Sequence, residues 1–125
     1  MDRKTKGRLA EVKVIAYLIE NGYEVYVPFS NNSKYDVISF KEGVLKRISV
    51  KFTSIKRKSG AWDVEMRQIF RGNNRINIHK FDNTMCDLIA VYLGPLDKVL
   101  LIEASKATGR GLLIKDNNIS EEMER

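Results

Sequence analysis

Histidine and cysteine each occur once, as His79 and Cys86. A lone cysteine cannot close a disulfide within the chain, so a reducing, intracellular setting is expected. One histidine and one cysteine are also too few for a His/Cys zinc site. No apolar run approaches the roughly 20 residues that cross a bilayer, and no membrane partner is expected. The opening Met-Asp-Arg-Lys-Thr-Lys-Gly leads into mixed charge, without the apolar stretch of a secretory signal. Internal repeats, low-complexity tracts and interdomain linkers are missing too. What is present is 125 residues, 43% of them hydrophobic. That supports one core, expected to form a single domain over 1–125.

The charge is unevenly placed. The formal net charge is +6 and the pI about 9.5. Between Lys46 and Lys80 stand ten Lys/Arg residues and two acids, Asp63 and Glu65, so the rest of the chain is slightly acidic. A concentrated basic stretch attracts polyanions, nucleic acid first among them.

Residues 5–21 carry helical periodicity, with Leu9, Val12, Ile15, Ala16, Leu18 and Ile19 within one half of the helical wheel. Thr5 is the expected N-cap and Asn21-Gly22 the stop. Tyr23 to Pro28 reads as a short strand. Asp36–Phe40 and Leu45–Phe52 read as a hairpin about a turn at Lys41-Glu42-Gly43-Val44. Ala61–Phe70 is extended, Leu88–Leu93 and Val99–Ile102 are buried strands, and a short helix follows Glu103. The last ten residues are polar and expected to fray. Trp62 is expected in the core. The order implies one mixed sheet covered by helices.

Three residues invite a chemical reading. Glu11 sits at the edge of the apolar helix face, between Leu18 and Ile15. A hairpin centred near Gly43 places Asp36 opposite Val50 and beside Lys51, with Arg47, Ser49 and Lys51 on one strand face. Singly, each has an ordinary explanation: a solvated helix charge, a turn residue, an edge lysine that blocks aggregation. Together they suit phosphodiester hydrolysis. Asp36 and the Val50 backbone carbonyl would bind Mg²⁺, with Mn²⁺ as a substitute, and Glu11 would hold a metal-bound water or a second ion. Lys51 would orient the attacking water and offset transition-state charge.

Lys6-Gly7, Glu11, Tyr35-Asp36 and Ser49-Val50-Lys51 together resemble the PD-(D/E)XK nuclease superfamily. Within it, the chain is similar to homing-type endonucleases and to archaeal-type Holliday junction resolvases. The resemblance covers 5–52 in its motifs and the later strands more weakly. It implies a restriction-endonuclease-like α/β core, αβββαβ, with a central mixed sheet flanked by helices. Glu11, Asp36 and Lys51 map onto the catalytic set, and Ser30 is the nearest match to a functional serine of the resolvases. Two positions depart from the pattern: Tyr35 replaces proline, and Ser49 stands where resolvases carry an acid. Ser49 leaves one carboxylate fewer, which favours one cation over two.

The expected DNA contacts are Lys6, Arg8, Ser30, Lys34, Lys56, Arg57, Lys58, Arg71 and Arg75, chiefly to phosphates. Gln68, Asn73, Asn74 and Asn77 are candidates for base contacts. Three functions follow: a homing-type enzyme cutting duplex DNA, a resolvase cutting four-way junctions, or a nuclease-like DNA-binding protein without activity. Cutting two strands with one site per chain implies a homodimer or homotetramer.

Overall fold

The computed structural model describes residues 1–30, 33–54, 56–66, 68–72, 75–107 and 111–114, and for 68–72, 75–79 and 112–113 the backbone alone. Among the described residues a helix, α1 (Arg3–Glu20), precedes nine strands. These are β1 (Glu24–Tyr26), β2 (Val37–Lys41), β3 (Val44–Thr53), β4 (Trp62–Glu65), β5 (Gln68–Gly72), β6 (Arg75–His79), β7 (Leu88–Leu93), β8 (Lys98–Glu103) and β9 (Gly111–Ile114). Five strands make the central sheet in the order β1-β2-β3-β7-β8. Only the β3–β7 pair is parallel. A mixed sheet with an N-terminal helix is the α/β class expected.

α1 begins earlier than its sequence suggests. Asp2, not Thr5, is the N-cap, and its Oδ1 accepts the Thr5 N–H at 2.8 Å. A carboxylate outcompetes a hydroxyl for these unpaired donors. The helix ends as expected at Asn21-Gly22. Gly22 takes φ +84°, Gly22 N–H bonds the Ile19 carbonyl and Tyr23 N–H bonds the Leu18 carbonyl, a Schellman closure that glycine permits without strain. The buried stripe is Ala10–Val14–Leu18, flanked by Leu9, Ile15 and Tyr17. Val12 and Ile19, expected inside, are 62% and 59% exposed, and Ala16 is exposed as well. Apolar side chains occur on most of the wheel, and the face with the slimmer Ala10 and Val14 is the one packed on the sheet.

The β2–β3 hairpin closes through Glu42 and Gly43, both at positive φ (52° and 78°), the geometry of a type I′ turn. Val37 therefore pairs Ile48 and Lys41 pairs Val44, one residue away from a register centred on Gly43. Farther along, Asp87 fastens β3 to the start of β7. Its carboxylate accepts the Arg47 backbone N–H at 2.8 Å and the guanidinium at 3.2 Å, and its own N–H bonds the Arg47 carbonyl at 2.8 Å.

The two sheet faces carry separate cores. α1 covers one, over Val37, Ile48, Ala90, Tyr92, Val99 and Leu101. The other holds Ile89, Val91, Leu93, Leu100 and Ile102 beneath Trp62, Val64, Met66 and Ile114. The crossover that an αβββαβ pattern gives to a helix is built here from β4, β5 and β6. β4 pairs with β9, a strand that sequence periodicity missed. β5 and β6 form their own two-stranded ribbon. Trp62 is buried as expected, and the short helix after Glu103 is a single 3₁₀ turn, Ala104–Lys106. The frayed tail expected for 116–125 lies outside the described residues.

Candidate active site

β2 stops at Val37, while β3 runs on to Thr53. Beyond Val37, the Val50 N–H has no strand partner on that side and donates instead to Asp36 Oδ2 at 2.7 Å. The two backbone groups of a strand residue point to the same side, so the Val50 carbonyl faces the same gap. The Asp36 N–H bonds the Ile48 carbonyl at 2.9 Å, which fixes the residue from its backbone. Tyr35, in the place of a proline, anchors the approach by packing against the crossover-side core.

Burial pushes the Asp36 carboxyl above the ordinary aspartate range, offset in part by the Val50 N–H and the Lys51 charge. Burial pushes the Lys51 ammonium down, opposed by Asp36, Cys86 and Glu65. Glu11 is exposed as a residue, yet crowding of its carboxyl pushes it up, Asp36 pushes it further, and Arg8 draws it back. Glu11, Asp36 and Lys51 thus come from a helix, a strand entry and a strand end into one electrostatic neighbourhood.

Ser49 is 7% exposed and lies on the crossover side of β3, and its backbone N–H faces the buried Cys86 sulfur. Burial raises the Cys86 thiol. Neither residue adds a negative charge at neutral pH. Among the described residues, no three His, Cys, Asp or Glu side chains converge as a ready-made metal site.

Lys51 lines a cleft of about 610 Å³ together with Arg3, Lys6, Asp63 and Glu65. The Lys6 ammonium lies 5.7 Å from the Phe52 ring centroid. Phe52 in turn packs against Gly94, where an added Cβ would come 2.7 Å from the ring. Lys6 is therefore part of the cleft, as its position in sequence suggests. Arg8 stands beside Glu11, Lys34 and Lys58 are exposed, and Ser30 is exposed on the chain leaving β1. Lys56 is exposed, with its ammonium 5.5 Å from the Trp62 ring centroid. Arg57 is held by Asp63 at 3.0 and 3.2 Å. The side chains of Gln68, Arg71, Arg75, Asn77 and His79, and all of Arg67, Asn73 and Asn74, lie outside the described residues. Glu65 and Arg3 were not among the residues singled out from sequence. For Glu65 a signal existed: Asp63 and Glu65 are the only acids in the basic stretch from Lys46 to Lys80.

The sequence profile of the PD-(D/E)XK endonucleases matches residues 1–122. The chain belongs to the PD-(D/E)XK endonuclease family. It is therefore a nuclease by family, one in which divalent metals generally serve. Among solved structures, that of a bacterial homing endonuclease, I-Ssp6803I, superimposes with a TM-score of 0.74 and 22% identity. The match covers 93% of this chain and 81% of the other, and it establishes a shared fold. No curated protein matches the chain. No helix is long and apolar enough to cross a membrane among the described residues.

Proposed function

We propose that this PD-(D/E)XK endonuclease is a divalent-metal-dependent enzyme that cuts duplex DNA as a homing-type nuclease, with the whole chain acting as one nuclease domain in a reducing, intracellular setting. One observation carries the reading. Asp36 takes the Val50 N–H where β2 has ended, and it stands within electrostatic reach of Glu11 on one side and Lys51 on the other.

The donors there suit Mg²⁺ or Mn²⁺. They are all oxygens: the Asp36 carboxylate, the Val50 carbonyl and Glu11. Mg²⁺ keeps several waters and needs few protein ligands. When bound, the ion supplies Lewis acidity toward the phosphate and acidifies a water. The chain's own groups do the remainder. The Val50 N–H holds the Asp36 carboxylate through Oδ2, so a carboxylate that would bind the ion is fixed in orientation. Lys51 places positive charge where phosphate oxygens gain negative charge, in a partly enclosed site where such charge acts strongly. Crowding weakens its hold on its proton, which suits it to share a proton with the attacking water. Glu11, open to solvent, can orient that water. Neutral Ser49 supports one cation in preference to two. Arg3, Lys6, Lys34 and Lys58 offer phosphate contacts. One site per chain, with two strands to cut, favours a homodimer or homotetramer.

The test is incubation with linear duplex and four-way junction DNA in Mg²⁺ or Mn²⁺. Duplex is expected to be cut. Asp36→Ala and Lys51→Ala are expected to lose cleavage by at least about 10³-fold while DNA affinity stays within a few-fold. Cleavage by either variant at the wild-type rate rejects the site. Cutting of junctions alone replaces the duplex reading by a resolvase. Salt-sensitive binding with no cutting leaves a DNA-binding protein.

A further inference from the structure

We propose that Glu65 is a positioning residue for Lys51, supplied by the crossover strand β4 in place of the acid that β3 lacks at Ser49. The inference rests on the endonuclease reading above. β4 alternates strictly. Trp62 and Val64 are buried in the core, at 3% and 0% exposure, while Asp63 and Glu65 turn to the cleft that Lys51 shares. Glu65 stands between the fully buried Val64 and Met66, so its backbone is fixed by the core rather than by a surface loop. Its charge reaches the Lys51 ammonium.

The need for such a group follows from charge. A lysine is a mobile point charge on a four-carbon stem, and it needs an anchor to be placed. In the metal-free site Asp36 attracts it. A cation bound to Asp36 would cancel that attraction and repel the ammonium. Glu11, Asp36, Lys51 and one divalent ion together carry +1, and Ser49 contributes nothing. Glu65 gives Lys51 a carboxylate that is not a ligand of the ion. A glutamate that only kept β4 soluble would have no bearing on cleavage.

The experiment uses the full chain with Glu65→Gln and Glu65→Asp. Single-turnover cleavage at saturating DNA is measured with Mg²⁺, DNA affinity by anisotropy in EDTA, and stability by thermal melting. Supporting groups one step removed from a reaction centre typically matter by about 10–100-fold. Glu65→Gln is expected to slow cleavage by that factor and to hold or tighten DNA binding, because an acid leaves a basic cleft. Glu65→Asp is expected to recover most of the lost rate. A Glu65→Gln rate within threefold of wild type overturns the proposal. So does a parallel fall in rate, affinity and melting temperature that Glu65→Asp fails to reverse. Asp36→Ala and Lys51→Ala in the same assay keep the two ideas apart. If those variants are inactive and Glu65→Gln is not, only the role of Glu65 fails; if they cut normally, the site itself fails.

Discussion

Asp36→Asn separates the demands of folding from those of catalysis. Asp36 is largely enclosed, and its surroundings favour the neutral carboxyl even with Lys51 beside it. A folded-state pKa raised above the unfolded value means that Asp36 supports folding at low pH. That support is lost as the pH rises through the folded value. At neutral pH the buried charge is a cost. Asparagine removes it, keeps an oxygen that can accept the Val50 N–H, and removes the repulsion on Glu11. Against this, Lys51 loses its partner. The direction of the Asp36 shift already includes that attraction, so the gain wins. In EDTA the variant should be more stable by about 1 kcal/mol, or roughly 3–6 °C in melting temperature for a domain of this length. The gap between variant and wild type should shrink as pH falls. Adding Mg²⁺ reverses the comparison. An ion that binds with a Kd on the order of 1 mM, supplied at about 10 mM, stabilises the wild type by about 1.4 kcal/mol and leaves Asp36→Asn unmoved. Differential scanning fluorimetry across pH 4–8, with EDTA or Mg²⁺, reads all of this. An Asp36→Asn protein less stable than wild type in EDTA at neutral pH would refute the electrostatic reasoning. An equal Mg²⁺ shift in both would remove Asp36 from the ion.

Two further outcomes test the frame around the site. Gly94→Ala places a methyl 2.7 Å from the Phe52 ring; the ring must move, and a urea titration should register a loss of about 1–3 kcal/mol, whereas an unchanged midpoint would show the ring to be freely displaceable. Asp87→Asn weakens the fastening of β3 to β7 and should cost up to about 1 kcal/mol at neutral pH, since the pair is partly open to solvent. Arg47 holds the Asp87 carboxyl below its ordinary range. The advantage of the wild type is thus present above the unfolded carboxyl pKa and disappears as pH falls through the lower folded value; an advantage that persists at pH 2 would contradict it.

What the sequence disclosed was mostly local. Leu88–Leu93 could be bounded by eye because it is a continuous apolar run ended by Gly94-Pro95. The stop at Asn21-Gly22 was legible because Gly22 serves a backbone need that few other residues meet. The inward face of α1 was not, because Val12 and Ile19 are as apolar as Val14 and Leu18, and only contact with the sheet selects between them. The hairpin register slipped by one because nothing in composition reveals that Glu42 adopts positive φ. β9 escaped notice because Gly111–Ile114 becomes a strand by pairing with β4, some fifty residues away. The site was half legible for the same reason. Helix phase and hairpin proximity were enough to nominate Glu11, Asp36 and Lys51 as candidates. Glu65, the proposed positioning residue, comes from a long crossover whose path no local pattern encodes.

The arms of the central hairpin are unequal, five residues in β2 against ten in β3. That mismatch is what opens the corner proposed for the chemistry. Had β2 begun a turn earlier, its backbone would have zipped over Val50, and the amide and carbonyl now turned toward Asp36 would be consumed as ordinary rungs of the ladder. The proposed reactive corner is an unfinished seam, and insertions that lengthen β2 at its leading end should silence the enzyme while making its sheet more regular.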